Sequence, residues 1–283
     1  METKVLVTAD STCDLPVELC ERFGIAKIGL WVGFGEKMMQ DDGSLSSRDV
    51  YDYYAKTGNL TKSAALSIQE YTDFFKRFTD EGYEVVHVNI SAELSSTHQN
   101  AVLAAQSLPG VSVIDSRHLS SGQGLVAIKC ATLAQEGKSA AEIKEIVDQY
   151  KHRVSTSFVL DTLQYMARGG RCSAMTAFGA NLMKIKPTII MPDGKLIVGK
   201  KYRGKLANCL KEYVSDTLTA DREYELDRIF ITHSGVDDPQ ILEDMKAQIL
   251  SLVPFREVHI TQAGITVSTH CGPNTVGILF VTK

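Results

Sequence analysis

The chain has 283 residues, with 30 Lys and Arg against 34 Asp and Glu and a formal charge of −4, so it lacks the basic excess of a nucleic-acid binder. Hydrophobic residues make up 44% of it, enough to build a core for one large or two modest α/β domains. No apolar run approaches the ~20 residues that span a bilayer, and Met1-Glu2-Thr3-Lys4 leads directly into a strand without a signal-peptide pattern, so a cytoplasmic location is expected.

In chain order, the first half alternates strand and helix. An apolar strand over 4–9 meets the polar turn Asp10-Ser11-Thr12-Cys13-Asp14-Leu15-Pro16. A helix over 16–23 follows, with Asp14 as its N-cap, Pro16 in its first turn and Gly24 as its stop. A strand over 25–33, a polar loop at 40–44 and a short helix near 47–56 come next. Ser67-Ile68-Gln69-Glu70 is a capping box for a helix that Gly82 ends. Strand 84–90, a helix near 96–107, strand 111–115 and a helix near 122–136 continue the alternation. A second capping box, Ser139-Ala140-Ala141-Glu142, opens a helix to about 152. Such alternation predicts a parallel sheet covered on both faces.

The second half reads differently. A strand at 157–160 leads to a short helix, Arg168-Gly169-Gly170-Arg171, and a helix near 173–184. Segments 186–191 and 196–201 flank Pro192-Asp193-Gly194-Lys195, which predicts an antiparallel hairpin. Helix 204–219, strand 228–232, helix 238–251 and two further strands complete the chain, with Gly264 to His270 read as strand-like. The expected fold is therefore two-domain α/β: a parallel-sheet α/β/α N-terminal domain over 1–153 and a mixed-sheet α/β C-terminal domain over 154–283.

Three hydroxyl-rich segments carry candidate chemistry. Ser91-Ala92-Glu93-Leu94-Ser95-Ser96-Thr97 lies between a strand and a helix N-terminus, where amides favour an anion; Ser95 is also an ordinary cap. Thr61-Lys62-Ser63, taken alone, reads as a loop. His270, before Cys271-Gly272-Pro273, has the chemistry of a donor or base, although a lone His is more often structural. Six scattered cysteines without CxxC read as free thiols, and with no HExxH no dedicated metal site is expected. Gly122-Gln123-Gly124-Leu125-Val126-Ala127 matches a relaxed GxGxxA, the sole support for a nucleotide-binding oxidoreductase. Arg117 to Ser121 separate it from its strand, so it reads as close helix packing. A hydrolase or acyltransferase pairing Ser95 with His270 is a competing reading, without a GxSxG elbow.

Together these blocks resemble the DegV family of bacterial lipid-binding proteins. The resemblance rests on Asp10 to Pro16, Ser91 to Thr97, Val113-Ile114-Asp115-Ser116, Arg168 to Arg171, Lys186-Pro187, Asp193-Gly194 and His270 to Pro273, in order along the whole chain. It implies a non-catalytic protein without cofactor that holds one long-chain fatty acid. By position, Ser63, Ser95 and His270, with the Ser96 amide, would bind the carboxylate. It further implies a fatty acid kinase catalytic subunit as partner, Arg171 as a partner or phosphate contact, and transient contact with a membrane surface. The chain departs from the family pattern at Ala64-Ala65-Leu66, at Ser96 and Asn274 in place of Gly, and at His98 in place of Tyr.

Overall fold

A computed structural model describes residues 4–172 and 185–283; the helix expected over 173–184 lies outside the described residues. The first half runs β1 (Val5–Asp10), α1 (Val17–Phe23), β2 (Ile25–Ile28), β3 (Trp31–Phe34), β4 (Lys37–Gln40), α2 (Ser47–Thr57), β5 (Lys62–Ala64), α3 (Ile68–Thr79), β6 (Glu84–Asn89), α4 (Thr97–Ala105), β7 (Val111–Asp115), α5 (Ser120–Gln135) and α6 (Ala140–Tyr150). The second runs β8 (Val154–Val159), α7 (Gln164–Gly169), β9 (Ile185–Ile190), β10 (Ile197–Arg203), α8 (Leu206–Thr217), β11 (Arg228–His233), α9 (Gln240–Leu252), β12 (Glu257–Gln262), α10 (Ile265–Cys271) and β13 (Val276–Val281).

The fold is α/β, built on a parallel sheet and a mixed one. Strands β2-β1-β6-β7 pair in parallel, with Val7 opposite Ile25 on one side and Val86 on the other. Apolar residues of α1, α5 and α6 pack on one face of this sheet, and those of α3 and α4 on the other. Both capping boxes form: Ser67 Oγ accepts from the Glu70 amide and Ser139 Oγ from the Glu142 amide. The second sheet has the order β10-β9-β8-β13-β11-β12, antiparallel except for β11 with β12. Helices α8 and α9 cover one of its faces.

Helix α5 joins the halves. Leu125, Val126, Ala127 and Ile128, four successive residues that together point round the whole helix, are all at most 2% exposed, so its middle turn is apolar and enclosed on every side. It shares one core with Val7, Val86 and Ile114 of the parallel sheet and Phe230, Leu279 and Val281 of the mixed sheet. Each such aliphatic side chain contributes roughly 1.5–3 kcal/mol when fully buried. The GxGxxA segment serves this contact: a methyl on Gly124 would stand 2.7 Å from Leu15 Cδ2 and 2.9 Å from the Cys13 carbonyl.

Three local expectations are corrected. The strand over 25–33 is two strands, β2 and β3, broken near Gly29, where any side chain would meet Gln40 and the Asp41 carbonyl. Strand β3 instead centres a small antiparallel sheet, β4-β3-β5. Asp14 does not cap α1; it sits in the left-handed region (φ 48°), and Pro16 is the N-cap. The run Gly264 to His270 is helix α10, not a strand, because carboxylates from far away in sequence hold its first amides.

Candidate functional site

A cavity of about 390 Å³ lies at the seam between the halves, within the size range of small-molecule sites. Its apolar wall includes Leu94, Phe158, Met166, Leu196, Val267 and Leu279. Ser63, Ser95, Ser96, Arg171 and His270 line this same cavity. Residues more than 200 positions apart in sequence are thus brought to one place by β5, the loop before α4, the end of α7 and helix α10.

Within this cavity, Ser63 Oγ and His270 Nε2 are hydrogen-bonded at 2.7 Å. His270 Nδ1 is buried and has no hydrogen-bond partner among the described residues. A bare ring nitrogen is tolerated there better than a buried N–H without an acceptor. The proton therefore belongs on Nε2, which donates to Ser63 and leaves the serine proton free. Burial, reinforced by the charge of Arg171, pulls the His270 pKa down to about 4, so the ring is neutral at neutral pH. The Arg171 guanidinium is exposed and donates through Nη1 to the Gly169 carbonyl at 2.7 Å.

Ser95 turns its hydroxyl to its own helix. Its Oγ accepts from the Thr97 amide at 3.2 Å and donates to Thr97 Oγ1 at 2.9 Å. It makes no hydrogen bond to His270, and among the described residues no carboxylate orients the imidazole at Nδ1. A nucleophile–base–orienter chain built on Ser95 and His270 needs both of those contacts. Ser96 is the N-cap residue of α4 but makes no side-chain cap bond.

Asp10, Ser11 and Asp14 of the first polar turn stand behind this wall. Ser11 Oγ donates to Asp41 Oδ2 at 3.0 Å, and the Asp41 carboxylate accepts from the Ile265 and Thr266 amides at 3.1 and 3.2 Å. Asp14 Oδ1 accepts from the Gly264 amide at 2.8 Å, while Ser120 Oγ donates to its Oδ2 at 2.5 Å. Together these two carboxylates take three amides at the start of the helix that carries His270. Burial drives the Asp14 pKa up to about 7. Asp10 is fully buried and accepts from Thr12, Gln123, Asn89 and the Ile90 amide; burial raises its pKa despite them. Asp41 and its capping role had no local signal in the sequence, because its partners lie some 220 residues downstream.

All six cysteines are buried thiols, and none is joined in a disulfide. Among the described residues, no group of three or more His, Cys, Asp or Glu is placed to hold a metal ion. Nor is any helix there long and apolar enough to cross a membrane.

Comparison with known proteins follows the same lines. Residues 4–283 match the family model described as uncharacterised protein, DegV family. A DegV domain-containing protein of Caldanaerobacter subterraneus subsp. tengcongensis is 28% identical over 99% of both chains. One from Clostridium acetobutylicum is also 28% identical over 99% of both. Among solved structures, a DegV family protein from Thermus thermophilus, described as fatty-acid binding, superposes with a TM-score of 0.89 at 24% identity, covering 99% of this chain and 100% of that one. DegV of Bacillus subtilis, described as a fatty acid binding protein, gives 0.84 at 24% identity with the same coverage. At these identities the solved structures establish a shared fold, and the family model spans nearly the entire sequence. The chain belongs to the DegV family.

Proposed function

We propose that this protein binds one long-chain fatty acid in the seam cavity, carboxylate toward Ser63, Ser95, Ser96 and His270, acyl chain against the apolar wall. The Ser63–His270 pair facing that cavity carries the reading. A buried carboxylate is costly unless hydrogen-bonded, and the free Ser63 proton together with nearby hydroxyls and the Ser96 amide supplies charge-assisted donors. The acyl chain provides the driving force, roughly 0.8 kcal/mol per buried methylene. The relatives described as fatty-acid binding support the same ligand class.

In this reading the protein is a carrier, not a catalyst. It acts in the cytoplasm, with transient contact at a membrane surface for loading. There it offers the bound carboxylate to a separate kinase catalytic subunit that forms the acyl phosphate, with Arg171, exposed at the cavity, as a contact for the partner or its phosphate.

Native mass spectrometry of the purified full chain tests the ligand: a mass increment of one fatty acid is expected. A protein that carries no lipid and takes up none when offered ends the proposal. Ser95→Ala and His270→Ala are each expected to weaken retention of free fatty acid. Labelling of Ser95 by a serine-reactive probe would instead favour an acyl-enzyme.

A further inference from the structure

Strand β5 holds Ser63 yet is only three residues long, at the edge of a three-stranded sheet, with β3 as its one strand neighbour among the described residues. So short an edge strand does not by itself hold a side chain to within tenths of an ångström. A second link to α10 lies two residues earlier. Thr61 Oγ1 and Thr269 Oγ1 are 2.7 Å apart, and both residues are at most 4% exposed.

The direction of this bond follows from counting protons. Thr269 Oγ1 has a single hydrogen, and it donates to the Ile265 carbonyl at 2.8 Å. Thr269 therefore accepts, and Thr61 is the donor. Residues two apart on an extended chain project to the same side, so Thr61 and Ser63 both reach α10, where they meet the successive residues Thr269 and His270. The two links form a pair of rungs between β5 and α10. The inner rung is buried and has a fixed donor; the outer one lines the cavity.

We infer that Thr61 is a positioning residue for the ligand site: its buried hydroxyl holds β5 against α10 so that Ser63 and His270 meet. The affinity consequence rests on the fatty-acid reading; the effect on the imidazole does not.

The test uses the delipidated full chain with stearic acid as probe, and nitrogen NMR of the His270 ring in the unliganded protein. Thr61→Val keeps the shape and removes the donor; it should weaken stearic acid binding about tenfold. It should also replace the distinct protonated Nε2 and bare Nδ1 signals by exchange-averaged ones. Thr61→Ser restores the donor and should restore both readouts. Thr269→Val approaches the same link from the acceptor side and should reproduce the Thr61→Val signals, which covers the case in which Thr61→Val does not fold. Wild-type affinity together with unchanged ring signals in Thr61→Val, or a Thr61→Ser variant as impaired as Thr61→Val, overturns the inference. If the wild type takes up no stearic acid, the lipid reading fails, and the ring signals still decide the role of Thr61.

Discussion

Gly169 lies directly against the His270 ring: a methyl group on its α-carbon would stand 2.7 Å from Nδ1. The close approach fills the space beside that nitrogen, which has no hydrogen-bond partner among the described residues, and it fixes the ring edge that faces Ser63.

Gly169→Ala is therefore a clean probe of ring placement. Gly169 ends helix α7, where alanine is intrinsically favoured by up to ~1 kcal/mol, so global stability should hold within about that amount. The ring, however, must swing away and release Ser63. Fatty acid affinity is expected to fall about tenfold or more, read by displacement of a fluorescent fatty acid. Unchanged affinity would mean that ring placement does not matter for binding.

Acid should weaken the fold through its buried histidines. Burial lowers the pKa of His87 from 6.5 to about 3, and that of His118 and His270 from 6.5 to about 4. The unfolded chain takes up these protons near 6.5 while the folded one refuses them, so their contribution is present above 6.5 and lost as pH falls toward about 4. The melting temperature should drop by more than about 10 °C across that window, followed by circular dichroism. A His118→Gln variant removes one of these titrating rings and should show a shallower drop; of the bonds His118 makes, the one to Thr156 reaches the second half, while the one to the Lys151 carbonyl stays within the first.

Asp14 works in the opposite sense. Its folded pKa is raised from 3.8 to about 7, so its contribution is present below 3.8 and disappears as pH rises through about 7. Asp14→Asn cannot ionise, and asparagine tolerates the left-handed backbone at this position. The variant should gain stability relative to wild type as pH rises across that window. Urea unfolding at both ends measures it, and a pH-independent difference would refute the assignment.

Asp41 should matter more than any exposed carboxylate. Asp41→Ala removes the acceptor of two α10 amides and leaves the Ser11 hydroxyl, which still accepts from the Leu30 amide, without an acceptor for its own proton. A loss of about 2–4 kcal/mol is expected in urea unfolding, with weaker fatty acid retention because His270 rides on that helix. Asp41→Asn, which keeps one acceptor oxygen, should fall between.

Where short-range chemistry decides an element, the sequence announces it. Ser67 with Glu70 and Ser139 with Glu142 cap their helices as the capping-box pattern predicts. Helix α10 is the counter-example. Ile265, Thr266, Val267 and Thr269 favour a strand, and the run becomes a helix because Asp14 and Asp41 take its first amides. Strands β4 and β5, the latter in a segment that reads as loop, are each too short to show an alternation. Ser63, Ser95 and His270 were individually weak signals; only their order along a family pattern selected them, and the fold gathers them at one cavity. The supporting residues Asp41, Thr61, Gly169 and Thr269 act through partners distant in sequence or through bare backbone, which no local pattern records.

Helix α5 has a mechanical consequence. Because its apolar surface is divided between both sheets, a chain severed near residue 153 would leave each fragment with a raw hydrophobic wound. The halves should therefore melt in one cooperative step rather than in sequence. The cavity sits on this same welded seam, so prising the sheets apart is too expensive a route for a ligand to enter or leave.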